Sequence, residues 1–339
     1  MKLRLYSVFL VILAFTAGTL ANGACAKTPA NAERTASGAA AETSADGDEQ
    51  PIVWPVDAGS PEQILYAQPE RMREALARLA ARAPGKPNLY VISFAGDGEE
   101  NVFRNEAEYV DKLFSERFSA KGHVLTLVNN PATLSTYPIA SLSNLELAID
   151  GVGKKMNPEQ DVLMVFLTTH GSRKHELYVS LDPLPLDQIV PDDLADLFSD
   201  SPIRHRVFVI SACYSGGFVS ALRNPDTMVI TAARGDRASF GCGTQSEITD
   251  FGRAFFVDGL NRTASFSEAF SDASHEVDAW ETRDHQPHSF PQMATAAPIE
   301  AALKAWRDTF KAGPSVPFVP KRQAPPENAQ PAAVAQQPK

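Results

Sequence analysis

The sequence predicts an α/β protein, a three-layer sandwich in which a mainly parallel sheet carries helices on both faces, and three observations predict it. Continuous apolar runs such as Val162–Leu167 and Val207–Ile210 have the β-branched and aromatic make-up of strands buried on both sides. Segments with helical spacing of apolar residues alternate with those runs, which is the pattern of βαβ units. Residues 51–310 contain no internal linker, so they make one large domain rather than two small ones.

The elements follow in order. Ser60 is an N-cap ahead of Pro61, and Ile64, Leu65, Met72, Leu76 and Leu79 recur at helical spacing, so residues 60–82 are expected to form a helix at the sheet edge. Residues 88–94 form a strand with the exit loop Ala95-Gly96-Asp97-Gly98. Its lone Gly-x-Gly is too short a signal for a phosphate loop. Residues 102–118 place Tyr109, Val110, Leu113, Phe114 and Phe118 on one side of a helix; 123–129 is a strand and 142–152 a helix. After the 161–167 strand come a hairpin at Leu177–Leu181, a helix over 191–198, a strand from Arg206 and another from Met228. Helices over 250–260, 265–280 and 298–311 complete the domain.

Two of the buried runs end in chemistry. The stretch RVFVISACYSGGF, residues 206–218, delivers Cys213 into a glycine turn, and DVLMVFLTTHGS, residues 161–172, ends in His170-Gly171. The carboxyl ends of parallel strands are where open α/β sheets place ligands. Adjacent strand tips would let His170 act as general base and later acid, with the Cys213 thiolate as nucleophile. The amides of Gly171 and Cys213 would form an oxyanion hole. A cysteine alone is more often inert packing, and it is the histidine on a matching strand end that changes the reading. His175 and His205 read as surface residues. His275, His285 and His288 lack a ligand spacing and no cysteine pairs with them, so neither metal nor other cofactor is expected.

The pair TTHGS and ISACYSGGF resembles the His-Gly and Ala-Cys-x-Ser-Gly motifs of the legumain family, caspase-like cysteine peptidases that include asparaginyl endopeptidase and the catalytic subunit of the glycosylphosphatidylinositol transamidase. The resemblance spans roughly residues 87–293. MVITAARGDRASFGC is similar to the strand and loop whose serine lines the specificity pocket, which implies Ser239. ITDFGRAFF and NVFRNEAEYV imply Asp250 and Arg104 for the same pocket. Arg104 donates and Asp250 accepts, so together they would read an Asn amide or an Asp carboxylate. The pattern departs at Ser211, where the family has an acidic pocket residue, and at Asn105, where it has a histidine. The asparagine that orients the histidine in some members has no counterpart, since Val102 holds the aligned position and Asn101 lies one residue off. The resemblance implies an exported bacterial cysteine endopeptidase acting on peptides or proteins, with transpeptidation as a second outcome of the same thioester. The competing readings are a catalytically silent caspase-fold binding module of the envelope and a different hydrolase, such as an esterase, built on the same pair.

The ends of the chain have their own logic. Lys2 and Arg4 precede the apolar run Tyr6–Ala17, the layout of a secretory signal peptide over residues 1–26. Two processings fit: cleavage after Ala26, or lipoprotein processing that leaves Cys25 acylated as a membrane tether. Residues 27–50 are a disordered linker and 311–339 a disordered tail rich in Pro, Ala and Gln. The expected location is therefore the periplasm or a membrane-anchored lipoprotein. A net charge of −10, from 41 acidic and 31 basic residues, without a basic cluster argues against nucleic acid as a partner. Three cysteines do not make a disulfide framework; they divide into Cys25, the Cys213 thiol and Cys242.

Overall fold

The computed structural model describes residues 54–55, 58–243 and 245–321. The 1–26 leader with Cys25, the 27–50 linker and the tail beyond residue 321 lie outside the described residues. The centre is a six-stranded sheet of β1 (Leu89–Ala95), β2 (Val124–Val128), β3 (Val162–Thr168), β4 (His205–Ser211), β5 (Thr227–Thr231) and β6 (Gln292–Ala294), in the spatial order β2-β1-β3-β4-β5-β6. The first five strands are parallel and β6 closes the edge antiparallel to β5. The chain goes from β1 to β2 on one side and resumes at β3 on the other. The gap between β1 and β3 is thus the topological switch point, where α/β sheets open a crevice at their carboxyl ends.

Side-chain alternation explains why these strands read as unbroken apolar runs. Leu89, Val91, Met164, Phe166, Val207 and Val209 face one way, while Tyr90, Ile92, Phe94, Val165, Leu167, Phe208 and Ile210 face the other. The first face is covered by α3 (Asn101–Arg117), by the helical stretch over residues 250–262, by α7 (Phe266–Arg283) and by α8 (Ala297–Arg307). The second is covered by α2 (Gln68–Arg78), α4 (Leu142–Gly153), α5 (Pro191–Asp196) and α6 (Val219–Leu222). The five parallel strands are covered on both faces, so none alternates between an apolar side and a solvent-facing polar side.

Four expectations need correction. The helix expected over 60–82 is two helices, α1 (Pro61–Tyr66) and α2, broken at Ala67. Ser60 caps α1 through a reciprocal bond with Gln63, and Pro69, lacking an N–H, sits in the first turn of the second helix. No hairpin forms at Leu177–Leu181. Leu177 bridges both Gly171 and Ile189, and Ser180 bridges Asp97, so this segment instead laces the exit loops of β1 and β3 together. His205 is buried at the start of β4. The tail is not free from residue 311: Val316 is buried, bonded in both directions to the Asn261 side chain, and Phe318 stands edge-on to Tyr109. Two apolar anchors in an otherwise Pro-rich stretch are enough to seat it on α3. The helix over 250–262 continues through a π-helical turn, Arg253–Gly259.

Candidate active site

Strands β3 and β4 are direct neighbours, and Thr168 stands opposite Ser211. His170 and Cys213 each lie two residues beyond that pair, so both emerge at the same height above the sheet. Contact is closer than pairing alone requires. A Cβ at Gly171 would lie 2.0 Å from the Cys213 carbonyl oxygen, so only glycine lets the two tips close up. After Cys213 the chain turns sharply through Tyr214, a left-handed residue at φ 56°, into the turn Ser215–Phe218. Among the described residues neither the Gly171 nor the Cys213 amide has a backbone acceptor. Two N–H donors are therefore open beside the sulfur.

The thiol is held on one side by the loop after β5. Ser239 donates its N–H to Cys213 Sγ at 3.3 Å, its carbonyl lies 3.5 Å away as acceptor for the protonated thiol, and its hydroxyl lies at 3.7 Å. The Cys242 thiol reaches the same sulfur. Cys213 is drawn down to about 6, by the Cys242 thiol first and then by the Ser239 N–H and hydroxyl and the charge of His170, against burial, which pushes it up. Cys242 is displaced upward in turn, since it is the partner that keeps its proton.

The imidazole is held from the other side of the switch point. Its Nε2 lies 3.2 Å from Glu100 Oε1, and its ring meets Phe103 edge-on with centroids 4.9 Å apart. With Nε2 given to Glu100, Nδ1 is the nitrogen left for the sulfur. Burial works to lower His170, but the Glu100 hydrogen bond and charge, with Asp97 behind, carry it above its ordinary value. Asp97 is itself raised to about 6 by burial. Asp97, Glu100 and His170 each offer one donor atom within 4.8 Å of the others, the spacing a cation would need; Glu100 Oε1 is already given to His170, while its buried Oε2 has no partner among the described residues.

The pocket residues implied by resemblance do not all converge. Ser239 touches the thiol, as expected of a residue at the site. Arg104 is turned to Glu108 at 3.2 Å and to Asn130 at 3.5 Å. Asp250 lies against the backbone of Gly241 and is raised by burial, then by Glu281 and Asp284. No ion pair joins Arg104 to Asp250 among the described residues. Ser211 is 2 % exposed and bonded to the Thr249 hydroxyl at 2.9 Å, so it faces the interior and not a substrate. Two carboxylates were missed. Glu100 had no signal separating it from Glu99. Glu106 did have one: it shares the helical face of Val102, Phe103, Tyr109 and Val110, where a charge has no business unless it is bonded.

Residues 142–300 match the model of the Peptidase C13 family, a span that includes both His170 and Cys213. Among solved structures, the crystal structure of caspase-1 from Spodoptera frugiperda is similar at 16% identity and a TM-score of 0.44, covering 64% of this chain and 94% of that one. No sequence among the curated proteins matches.

Proposed function

Residues 142–300 of this chain are a region of the Peptidase C13, or legumain, family of cysteine peptidases, and from that premise we propose that Cys213 and His170 cleave peptide bonds through a thioester. The observation that carries this reading is the pair of strand tips at equal height, with a lowered thiol on one and a raised imidazole on the other. The Cys213 thiolate adds to the scissile carbonyl, and the developing oxyanion takes the amides of Gly171 and Cys213. His170 gives its proton to the leaving amine, so the C–N bond breaks and a thioester remains. Water, deprotonated by His170, then attacks the acyl carbon and returns the thiol. An amine in place of that water gives transpeptidation.

Glu100 holds the imidazole in place as a positioning residue. Ser239, which touches the thiol, is the first proposed reader of the residue before the cut bond, with Asn or Asp the side chains the resemblance implies; Arg104 and Asp250 would join it by leaving Glu108 and the Gly241 backbone. Export, with Cys25 either acylated or removed with the leader, completes the proposal.

One experiment tests these points together. The purified full-length protein is treated with tagged peptidyl chloromethyl ketones ending in Asn, Asp or Leu, and the adduct is located by mass spectrometry, which also reads the mature amino terminus. The expected result is a single adduct on Cys213, fastest with Asn or Asp, and slowed by about a hundredfold in His170→Ala. An adduct elsewhere, or a rate unchanged in His170→Ala, overturns the mechanism. Equal rates for Leu overturn the specificity, and an amino terminus before residue 25 overturns the processing.

A further inference from the structure

Around the nucleophile lies a cationic and aromatic rim that the cleavage chemistry leaves unused. Tyr214, the residue after Cys213, donates its N–H to the Arg237 carbonyl at 2.7 Å, so the two segments are joined beside the sulfur. The Arg173 guanidinium carbon stands 5.3 Å from the Tyr214 ring centroid. Those of Arg234 and Arg237 stand 5.0 and 5.9 Å from the ring of Phe290, a left-handed residue that is 44% exposed. Arg234 is committed to Asp236 through two hydrogen bonds. Arg173 and Arg237 are different. Both are exposed, and among the described residues neither has an ion pair within 4 Å or a side-chain hydrogen bond; Arg173 rests on its ring, and Arg237 rests on its ring with its charge also felt by Asp236, whose main partner is Arg234.

A guanidinium laid on an aromatic ring uses its face and leaves its N–H edge to solvent, already oriented. That edge matches a carboxylate with two parallel bonds. In a chain of net charge −10, two exposed cations without an ion pair within 4 Å, on the loops joined at Tyr214, are a local exception to the overall field. We infer that Arg173 and Arg237 recognise the side-chain carboxylate of an acidic residue in the peptide substrate, close to the scissile bond where the substrate crosses Tyr214. The inference rests on the peptidase reading and adds to it a second point of recognition, separate from the residues at Ser239, Arg104 and Asp250.

The test moves one Asp or Glu through three positions on each side of a fixed cut bond and compares kcat/KM with the Asn or Gln isostere. An acidic preference of about tenfold at one position is expected, falling severalfold in Arg173→Gln and in Arg237→Gln and fading in 0.5 M salt, with rates on the neutral peptides unchanged. Tyr214→Leu, which removes the platform and keeps Arg173, should reduce the same preference. A readout independent of cleavage is binding of fluorescein-labelled acidic and isosteric peptides to the Cys213→Ala protein, followed by anisotropy. The acidic peptide should bind more tightly, and the two arginine variants should abolish the difference. No acidic preference at any position, a preference untouched by both variants, or tighter binding of a phosphoserine peptide than of its Asp counterpart overturns the inference. Failure of the ketone to label Cys213 sinks the peptidase reading alone, because the binding comparison does not need turnover.

Discussion

At the scale of single residues, the sulfur and the imidazole are tuned from opposite sides by groups that are far from them in sequence. Cys242 and the Ser239 N–H stabilise the thiolate, while Glu100 stabilises the imidazolium, so the thiolate is favoured above about pH 6 and the protonated ring below the raised value of His170. Signs follow directly. Removing Cys242 in Cys242→Ala takes away the leading cause of the lowered thiol, so the acid limb of alkylation by iodoacetamide should move to higher pH, towards the ordinary thiol range of about 8.5. Glu100→Gln takes away the group that favours the protonated ring, so the alkaline limb of kcat/KM should move to lower pH while the acid limb stays near pH 6. A purely structural role for Glu100 would lower the whole profile without shifting either limb. His170 and Cys213 were both legible from the sequence because each ends a buried run at a glycine turn. Glu100 was not: it comes from the exit of a third strand, and only the order β1-β3-β4 brings that loop alongside.

At the scale of elements, one buried carboxyl ties strands β3 and β4 to the helix beneath them. Glu106 on α3 is fully buried and accepts hydrogen bonds from the Thr168 hydroxyl at 2.9 Å and the Thr249 hydroxyl at 3.2 Å. Thr249 is shared with Ser211 and with the Gly252 N–H, and a Cβ at Gly252 would lie 2.0 Å from Glu106 Oε1. The last residues of β3 and β4, two positions before His170 and Cys213, are thus linked through the side chains of Glu106 and Thr249. Burial raises Glu106 to about 8, far above the ordinary glutamate value of about 4.3. A folded state that holds its proton more tightly than the unfolded chain loses stability as pH rises between those two values, at up to about 1.4 kcal/mol per pH unit. Glu106→Gln carries no such proton. Urea unfolding at pH 5, 6.5 and 8 should show the native protein's loss of stability over that range flattened in the variant; identical slopes would mean that Glu106 is ionised in the fold. Ser211 looked like a pocket residue by position alone. The parallel register turns it inward, because alternate residues of a strand face opposite layers and residue 211 points towards α3.

At the scale of the whole molecule, the sheet is a wall between two apolar layers, and the proposed active site sits on its carboxyl rim beside the switch point. Phe166 is fully buried four residues before His170 and meets Phe256 with centroids 4.7 Å apart, so it anchors β3 to the helical layer over 250–262. Phe166→Ala should cost about 3–5 kcal/mol in urea unfolding, since it leaves a cavity that two layers cannot both collapse into. A cost below about 1 kcal/mol would mean that the layers repack freely. What the sequence determined by itself was the alternation of strands and helices, the parallel class of the sheet, and the strand tips bearing Cys213 and His170. Each of these is written in short-range patterns of apolar residues and glycine. What only the tertiary structure decided was which loops meet at the rim. Glu100 reaches His170, Cys242 and Ser239 reach Cys213, Arg173 lies over Tyr214 and Arg237 over Phe290, and Arg104 and Asp250 turn to separate partners. Those pairings depend on strand order and on loop paths fixed by packing over long sequence separations, and local periodicity carries no record of either.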